Sequence, residues 1–387
     1  MMPRGSNKKQ FGADKIIIKI VAILLIGVLA IIFYYDHMQN KKIEEEFSLI
    51  AQQQIKEQWA QKAAREQLEA KDSFYQKLVD GFDVKILVVG DSIGAGDGAT
   101  DNAHTWASLL THNLQKTYNI RAYVKNVSMG GNSSYAGYVR TMALNAGEEY
   151  DLVVLCYGQN DGLNNFGLYY EAMIRAVKNR CPKASVISVL ESSQRSYTEK
   201  MQTIQALAAH YGIPVVDTIA PFQKNYDSLV NNDKVHPNDN GYKVYSEQIL
   251  RLINARAAER YGHDPKDVSA VNEQVAIFDT FQWLGAEKFK REGNTYTLTT
   301  KTDGVVLGID YTINPGNNNC RILVDGVEYA ARQKIFSYDF NQRQILIVND
   351  WLAGRKLNIQ NEIKIIFAED EAGKKQADGF KGIAISG

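Results

Sequence analysis

Residues Ile16 to Tyr35 read IIIKIVAILLIGVLAIIFYY, and no other stretch narrows so sharply what this chain can fold into. Helix at about 1.5 Å per residue makes this run about 30 Å long, the thickness of a bilayer's hydrocarbon core. Backbone at that depth must satisfy its own hydrogen bonds, which leaves a helix. Lys19 lies one turn inside the N-terminal end, where its stem can snorkel to the headgroups, and Tyr34 and Tyr35 sit where an interfacial aromatic belt belongs. The run exceeds the apolar core of a cleaved leader, and no small-x-small site follows in FYYDHMQN. The segment therefore predicts an uncleaved, single-pass anchor at 16–35.

Arg4, Lys8, Lys9 and Lys15 precede the span, whereas Lys41 and Lys42 follow it among Glu44, Glu45 and Glu46. The positive-inside rule puts the tail 1–15 in the cytoplasm and everything beyond the anchor outside. Residues 36–80 contain no Pro or Gly and place Ile43, Phe47, Ile50, Ile55, Trp59, Ala63 and Leu68 at helical steps. That pattern predicts a helical stalk with one apolar stripe. It either holds the remainder up to about 60 Å from the bilayer or packs back onto it.

The 387 residues carry 44 basic and 44 acidic side chains, and 45% are apolar. This is globular composition, with length for two or three domains. Zero net charge lacks the cationic excess that phosphate neutralisation needs, which argues against a nucleic-acid partner. Cys156, Cys181 and Cys320 allow one bridge at most and match no zinc spacing.

From Asp83 the pattern becomes alternating strands and helices. VKILVVG, AYVKNVS, DLVVLCYG, SVISVL and IPVVD are β-rich, with helical stretches near 104–118, 135–148, 168–180, 197–211 and 241–261. Such alternation implies a parallel sheet covered on both faces, with sites at the carboxyl ends of its strands. Gly90-Asp91-Ser92-Ile93-Gly94 follows the first strand, and Asn126-Val127-Ser128-Met129-Gly130-Gly131-Asn132 the second. Gly158-Gln159-Asn160-Asp161 follows the third, and Asp233-Lys234-Val235-His236-Pro237 lies beyond the fifth.

These are the parts of an acyl-transfer site. A serine hydroxyl needs a base to take its proton, which His236 can supply, and Asp233 can fix the ring's tautomer. An oxyanion needs rigid donors: the Ser92 and Gly131 N–H groups and the Asn160 side-chain amide make three. Glycines 94, 96 and 98 follow a strand, but neither a Walker lysine nor a Gly-x-Gly-x-x-Gly register is present, which argues against nucleotide binding. His104 reads as a surface histidine, Asp91 as a brace for the turn carrying Ser92, Asp161 as a brace for the asparagine loop, and Cys156 as a core residue.

In order and spacing, the four segments resemble the four blocks of the SGNH (GDSL-type) hydrolase superfamily. GDSIGAGDG resembles the nucleophile block, NVSMGGNS the glycine block, GQND the asparagine block and DKVHPNDNGY the Asp-x-x-His block; Trp106 also suits the family. The resemblance covers about residues 83–262. It implies Ser92 as nucleophile, Asp233 and His236 as its triad partners, and an oxyanion hole from Ser92, Gly131 and Asn160, the tandem Gly130-Gly131 leaving either register open. It implies a flavodoxin-like, three-layer α/β domain with a parallel five-stranded sheet at 81–262, and no metal or cofactor.

GHDPKDVSA reads as part of a linker at 263–273. From 274 to 387, seven or so short strands separated by turn signals predict a β-sandwich accessory domain. In it Trp283, Tyr311, Tyr329 and Trp351 are available either to stack on sugars or to fill the core.

The expectation is an outward-facing, membrane-anchored serine esterase removing O-acyl groups, foremost O-acetyl, from a cell-surface or secreted polysaccharide. The same site could serve a polysaccharide O-acetyltransferase or a lipase or thioesterase. From a different class, a glycan-binding surface-assembly protein could carry the site as a vestige. Two Asn-x-Ser sequons, at Asn126 and Asn132, flank the glycine block, where glycans would obstruct the site; this favours a bacterial periplasm or cell surface.

Overall fold

The computed structural model describes residues 10–69, 72–265, 268–314, 316–317, 319–332, 335–336 and 342–387. Arg4, Lys8 and Lys9, which set the expected orientation of the anchor, lie outside these residues. The chain divides into two compact units, Met1–Lys71 and Asp72–Gly387. In the first, α1 (Gln10–Glu69) runs unbroken through the expected anchor and most of the stalk. Among the described residues it is the one helix long and apolar enough to cross a membrane. Its described apolar side chains are exposed, Ile23 and Phe33 in the expected anchor as much as Phe47, Ile55 and Trp59 in the expected stalk.

The stalk does not extend to residue 80. A separate helix, α2 (Phe74–Val79), starts at a capping box made by Ser73 and Gln76. Phe74, Tyr75 and Leu78 are buried in the core of the second unit. Their apolar spacing serves that core, which is why the stalk pattern seemed to continue.

Five strands form the parallel sheet: β1 (Val84–Gly90), β2 (Ala122–Asn126), β3 (Leu152–Cys156), β4 (Ser185–Leu190) and β5 (Val215–Asp217). Their order, β2-β1-β3-β4-β5, is that of flavodoxin-like folds. Side chains alternate between faces. Ile86 and Val88 pack with α4 (Trp106–Tyr118) and α10 (Asp239–Ala258), through Leu110, Tyr245 and Ile249. Leu87 and Val89 pack with α5 (Ser134–Met142), α6 (Phe166–Arg180) and α7 (Glu199–His210), through Tyr138, Met173 and Ile204. Three short helices, α3 (Ser92–Ala95), α8 (Ile219–Gln223) and α9 (Tyr226–Leu229), lie in the loops.

The C-terminal residues form two antiparallel sheets around a second core that includes Leu307, Ile309, Ile322, Ile363, Ile365 and Ile383. One sheet has the order β15 (Gln342–Ile347), β10 (Val306–Ile313), β18 (Gly382–Ser386), β6 (Gln282–Gly285). The other runs β13 (Val327–Arg332), β12 (Cys320–Val324), β17 (Glu362–Phe367), β8 (Thr295–Thr299), β7 (Lys290–Glu292). Two small pairs, β9 (Thr302–Gly304) with β16 (Leu357–Ile359) and β11 (Gly316–Asn317) with β14 (Ile335–Phe336), complete the domain.

Several expectations need correction here. AIFDTFQW is not one strand: Glu273–Asp279 is a 3-10 helix that buries Val275 and Phe278, and β6 begins only at Gln282. A helix, α11 (Glu371–Asp378), capped by the Asp370 carboxylate on Gly373 N–H, was not legible in EAGKKQAD because that segment has no apolar period. Tyr311, Tyr329 and Trp351 are buried, so core packing and not sugar stacking accounts for them.

The described residues of the expected linker, 263–265 and 268–273, are docked, not free. The buried Glu171 carboxylate on α6 accepts the Val271 and Asn272 N–H groups, and Asp264 accepts Val186 N–H. The two domains also share one core. Val306, Ile345, Trp351 and Ala384 pack into the same cluster as Tyr135 and Tyr138 of α5, and the Tyr138 hydroxyl donates to the Phe278 carbonyl at 3.0 Å.

Candidate active site

β1 ends at Gly90, where a Cβ would stand 2.7 Å from the Cys156 carbonyl oxygen, so only glycine permits the close approach of β1 to the end of β3. The chain then turns into α3, with the Asp91 carboxylate accepting Ile93 N–H at 2.9 Å as its cap. Ser92 is the first residue of that turn, and its N–H has no intrahelical acceptor. Trp106 braces the turn from α4 by donating its indole N–H to the Ile93 carbonyl at 3.0 Å.

His236 Nε2 lies 2.9 Å from Ser92 Oγ, and His236 Nδ1 lies 2.7 Å from Asp233 Oδ2. The other Asp233 oxygen accepts the N–H groups of Val235 and His236, which curls the Asp-x-x-His turn so that carboxylate and ring meet. Partial burial raises the Asp233 pKa, but the bonds from the His236 ring and those two N–H groups outweigh it and hold the carboxyl below the usual aspartate range. A hydroxyl bonded to an imidazole, itself held by a carboxylate, can lose its proton to the ring as it attacks a carbonyl.

The glycine and asparagine segments adjoin the same turn. Gly131 has φ +70°, the left-handed region where glycine is unstrained. Asn132 is buried, donates to the Gly130 and Arg343 carbonyls and accepts Ile345 N–H, each at 2.9 Å. Gln344 donates to the Gly131 carbonyl at 2.9 Å. Strand β15 of the C-terminal domain thus holds the expected oxyanion loop. Asn160 is exposed, and its amide donates to Asp91 Oδ2 at 3.3 Å and to the Asn132 carbonyl at 3.2 Å. All five expected site residues stand at the carboxyl edge of the sheet, Ser92 at the start of α3 and Gly131, Asn160, Asp233 and His236 on loops.

The secondary expectations divide. Asp161 accepts the N–H and the hydroxyl of Ser134, as a brace should. His104 is exposed and paired with Asp101. Asn126 is not an open sequon, since its amide donates to the Gly94 carbonyl. All three cysteines are buried free thiols. A cavity of about 420 Å³, lined in part by Cys181, Tyr211, Val268 and Phe278, lies toward the amino ends of the strands and includes none of the five site residues.

One functional-site neighbour escaped the sequence: Glu191, fully buried directly after β4. Its carboxyl accepts Gln159 N–H at 2.7 Å and is hydrogen-bonded to the equally buried Asp91. The signal available was position alone, since the carboxyl end of β4 is where a site residue belongs. Burial raises both carboxyls above the usual range; the Glu191 charge pushes Asp91 up further, whereas the bond from Asp91 offsets only part of the rise at Glu191, so the folded pair retains a proton that the unfolded chain releases. Unfolded protein then binds fewer protons, and this pair lowers stability as pH rises above the ordinary carboxylate range; below it the penalty is absent. Glu191→Gln removes one ionisation, so the Tm difference between variant and wild type should grow in the variant's favour from about pH 5 to 8. A pH-independent difference would contradict the shared proton.

The model of the GDSL-like lipase/acylhydrolase family matches residues 88–244. Esterase TesA of Pseudomonas aeruginosa is 31% identical over 163 residues, 39% of this chain and 79% of that protein. Thioesterase 1/protease 1/lysophospholipase L1 of Escherichia coli K12 is 25% identical over 181 residues, 44% of this chain and 85% of that protein. A solved two-domain esterase active on acetylated mannans superimposes with a TM-score of 0.64 at 17% identity, covering 82% of this chain and 95% of that one, so the likeness in fold takes in the β-rich domain as well. By its sequence kinship with these hydrolases, this chain belongs to the GDSL-like lipase/acylhydrolase family and is a serine ester hydrolase.

Proposed function

We propose that the protein removes O-acetyl groups from a polysaccharide outside the cytoplasm, with Ser92 as nucleophile, His236 as base and Asp233 as its orienting carboxylate. The observation that carries the reading is the unbroken hydrogen-bonded chain Ser92–His236–Asp233 at the end of a flavodoxin-like sheet. Ser92 Oγ attacks the ester carbonyl carbon and its proton passes to His236 Nε2. The resulting oxyanion is met by the N–H groups of Ser92 and Gly131 and the amide of Asn160. Collapse breaks the bond to the sugar oxygen, which takes the proton from His236 and leaves as the alcohol. Water then attacks the acyl-enzyme, gives a proton to His236 and releases acetic acid, and the serine is re-protonated.

The carbohydrate assignment draws on the two-domain esterase active on acetylated mannans, whose architecture this chain shares. In our reading α1 anchors the chain in a bacterial membrane, and the cationic excess before the span keeps the N-terminus in the cytoplasm. The test is acetate release from an acetylated mannan and an acetylated xylan by the detergent-solubilised chain, beside p-nitrophenyl acetate and decanoate. Acetate release, with acetate esters preferred to decanoate, is expected.

A second reading, hydrolysis of long-chain thioesters or lysophospholipids, has the likeness to the Escherichia coli thioesterase and lysophospholipase behind it. Preferential turnover of decanoate, with no acetate from either polysaccharide, would favour it.

A further inference from the structure

The Asn160 amide can serve the reacting carbonyl only if its loop is held while the amide stays free to turn. The backbone is held tightly. Glu191 accepts Gln159 N–H at 2.7 Å from below, and the Lys200 ammonium donates to the carbonyls of Gly158 and Asp161 on either side. The amide itself is held loosely, by the two long bonds of 3.2 and 3.3 Å, and is exposed. One of those bonds ends on Asp91, whose carboxyl is in turn hydrogen-bonded to Glu191. A single buried side chain therefore reaches Asn160 by two routes, through the preceding N–H and through Asp91.

We propose that Glu191 is a positioning residue for ester hydrolysis, fixing the Gln159–Asn160 backbone and the Asp91 carboxyl so that the Asn160 amide faces the carbonyl oxygen under attack. This rests on the reading of Asn160 as an oxyanion donor. The shared proton adds a second consequence. With one proton on the pair, Asp91 is a weak acceptor, so an Asn160 N–H can move to the oxyanion as charge develops there; two ionised carboxylates would hold the amide back and oppose that charge. The other groups facing Glu191 are Asp161, Cys156, Tyr170 and Tyr245, together with Lys200 across the loop. Gln at 191 can reproduce the arrangement, its oxygen accepting Gln159 N–H and its NH2 donating to Asp91.

The experiment is steady-state kinetics on p-nitrophenyl acetate with the full chain in detergent, comparing wild type, Glu191→Ala, Glu191→Gln, Asn160→Ala and the double variant Glu191→Ala/Asn160→Ala. Removing one oxyanion donor typically costs about 10²- to 10³-fold in kcat, and Asn160→Ala should fall there. Glu191→Ala should lower kcat by about 30- to 100-fold with KM within about threefold, and Glu191→Gln should recover to within about fivefold of wild type. In the Asn160→Ala background, Glu191→Ala should cost less than about threefold more, because its effect passes through the amide already removed. Should Glu191→Ala fail to fold, Glu191→Met fills the volume without accepting Gln159 N–H and should show the same loss.

Undiminished kcat in Glu191→Ala or Glu191→Met would overturn the proposal. So would a loss of equal size in the Asn160→Ala background, or Glu191→Gln as impaired as Glu191→Ala. If Asn160→Ala alone leaves kcat intact, the oxyanion reading of Asn160 fails first and takes this proposal with it.

Discussion

Replacing Ser92 with alanine is expected to lower kcat on p-nitrophenyl acetate by about 10⁴- to 10⁶-fold, the range seen when a triad nucleophile is removed and only oxyanion stabilisation and binding remain. The folded state should barely notice. Ser92 Oγ bonds only to the His236 ring among the described residues, and the turn is held by Asp91, Trp106 and Gly90 instead. Thermal unfolding should therefore shift by no more than a degree or two while turnover disappears. Residual activity within about tenfold of wild type would mean that another group carries the chemistry.

Ending the chain after residue 272 is expected to abolish both turnover and cooperative unfolding. An accessory module joined by a linker would come away cleanly, but this one would not. Val275, Phe278, Val306, Ile345, Trp351 and Ala384 lie in the cluster that also buries Tyr135 and Tyr138. Exposing the cavity they leave costs on the order of 10 kcal/mol, comparable with the whole stability of an ordinary domain. Asn132 would lose the Arg343 carbonyl and Ile345 N–H, and Gly131 would lose Gln344, so the glycine loop would be unsupported even in a fragment that folded. A shortened chain with a sharp unfolding transition and near-normal kcat would show that the α/β domain stands alone.

Much of this fold was legible because its signals are local. The run VKILVVG before GDS, and its counterparts before GQND and beyond IPVVD, carry both the strand pattern and the glycines or caps that end it. The five expected site residues needed no long-range information beyond the rule that strand ends gather at one edge. What stayed hidden depends on tertiary packing. Glu191 is one acidic residue after an apolar strand, and nothing in SVISVLE tells a buried carboxyl from a solvated one. Phe74, Tyr75 and Leu78 continue the stalk's spacing, so the break before α2 shows only once their burial is seen. Asn132 reads locally as a sequon, yet its amide is taken up by a strand more than 200 residues away.

The central claim, that Ser92 is the activated nucleophile, is tested most directly by covalent labelling. The full chain is treated with a fluorophosphonate, which modifies only serines activated by a neighbouring base. The adduct is then located by peptide mass measurement. The account predicts one adduct per chain, on the peptide containing Ser92, absent in Ser92→Ala and strongly slowed in His236→Ala. Folded wild type that takes no label, or Ser92→Ala that labels as fast as wild type, would contradict it.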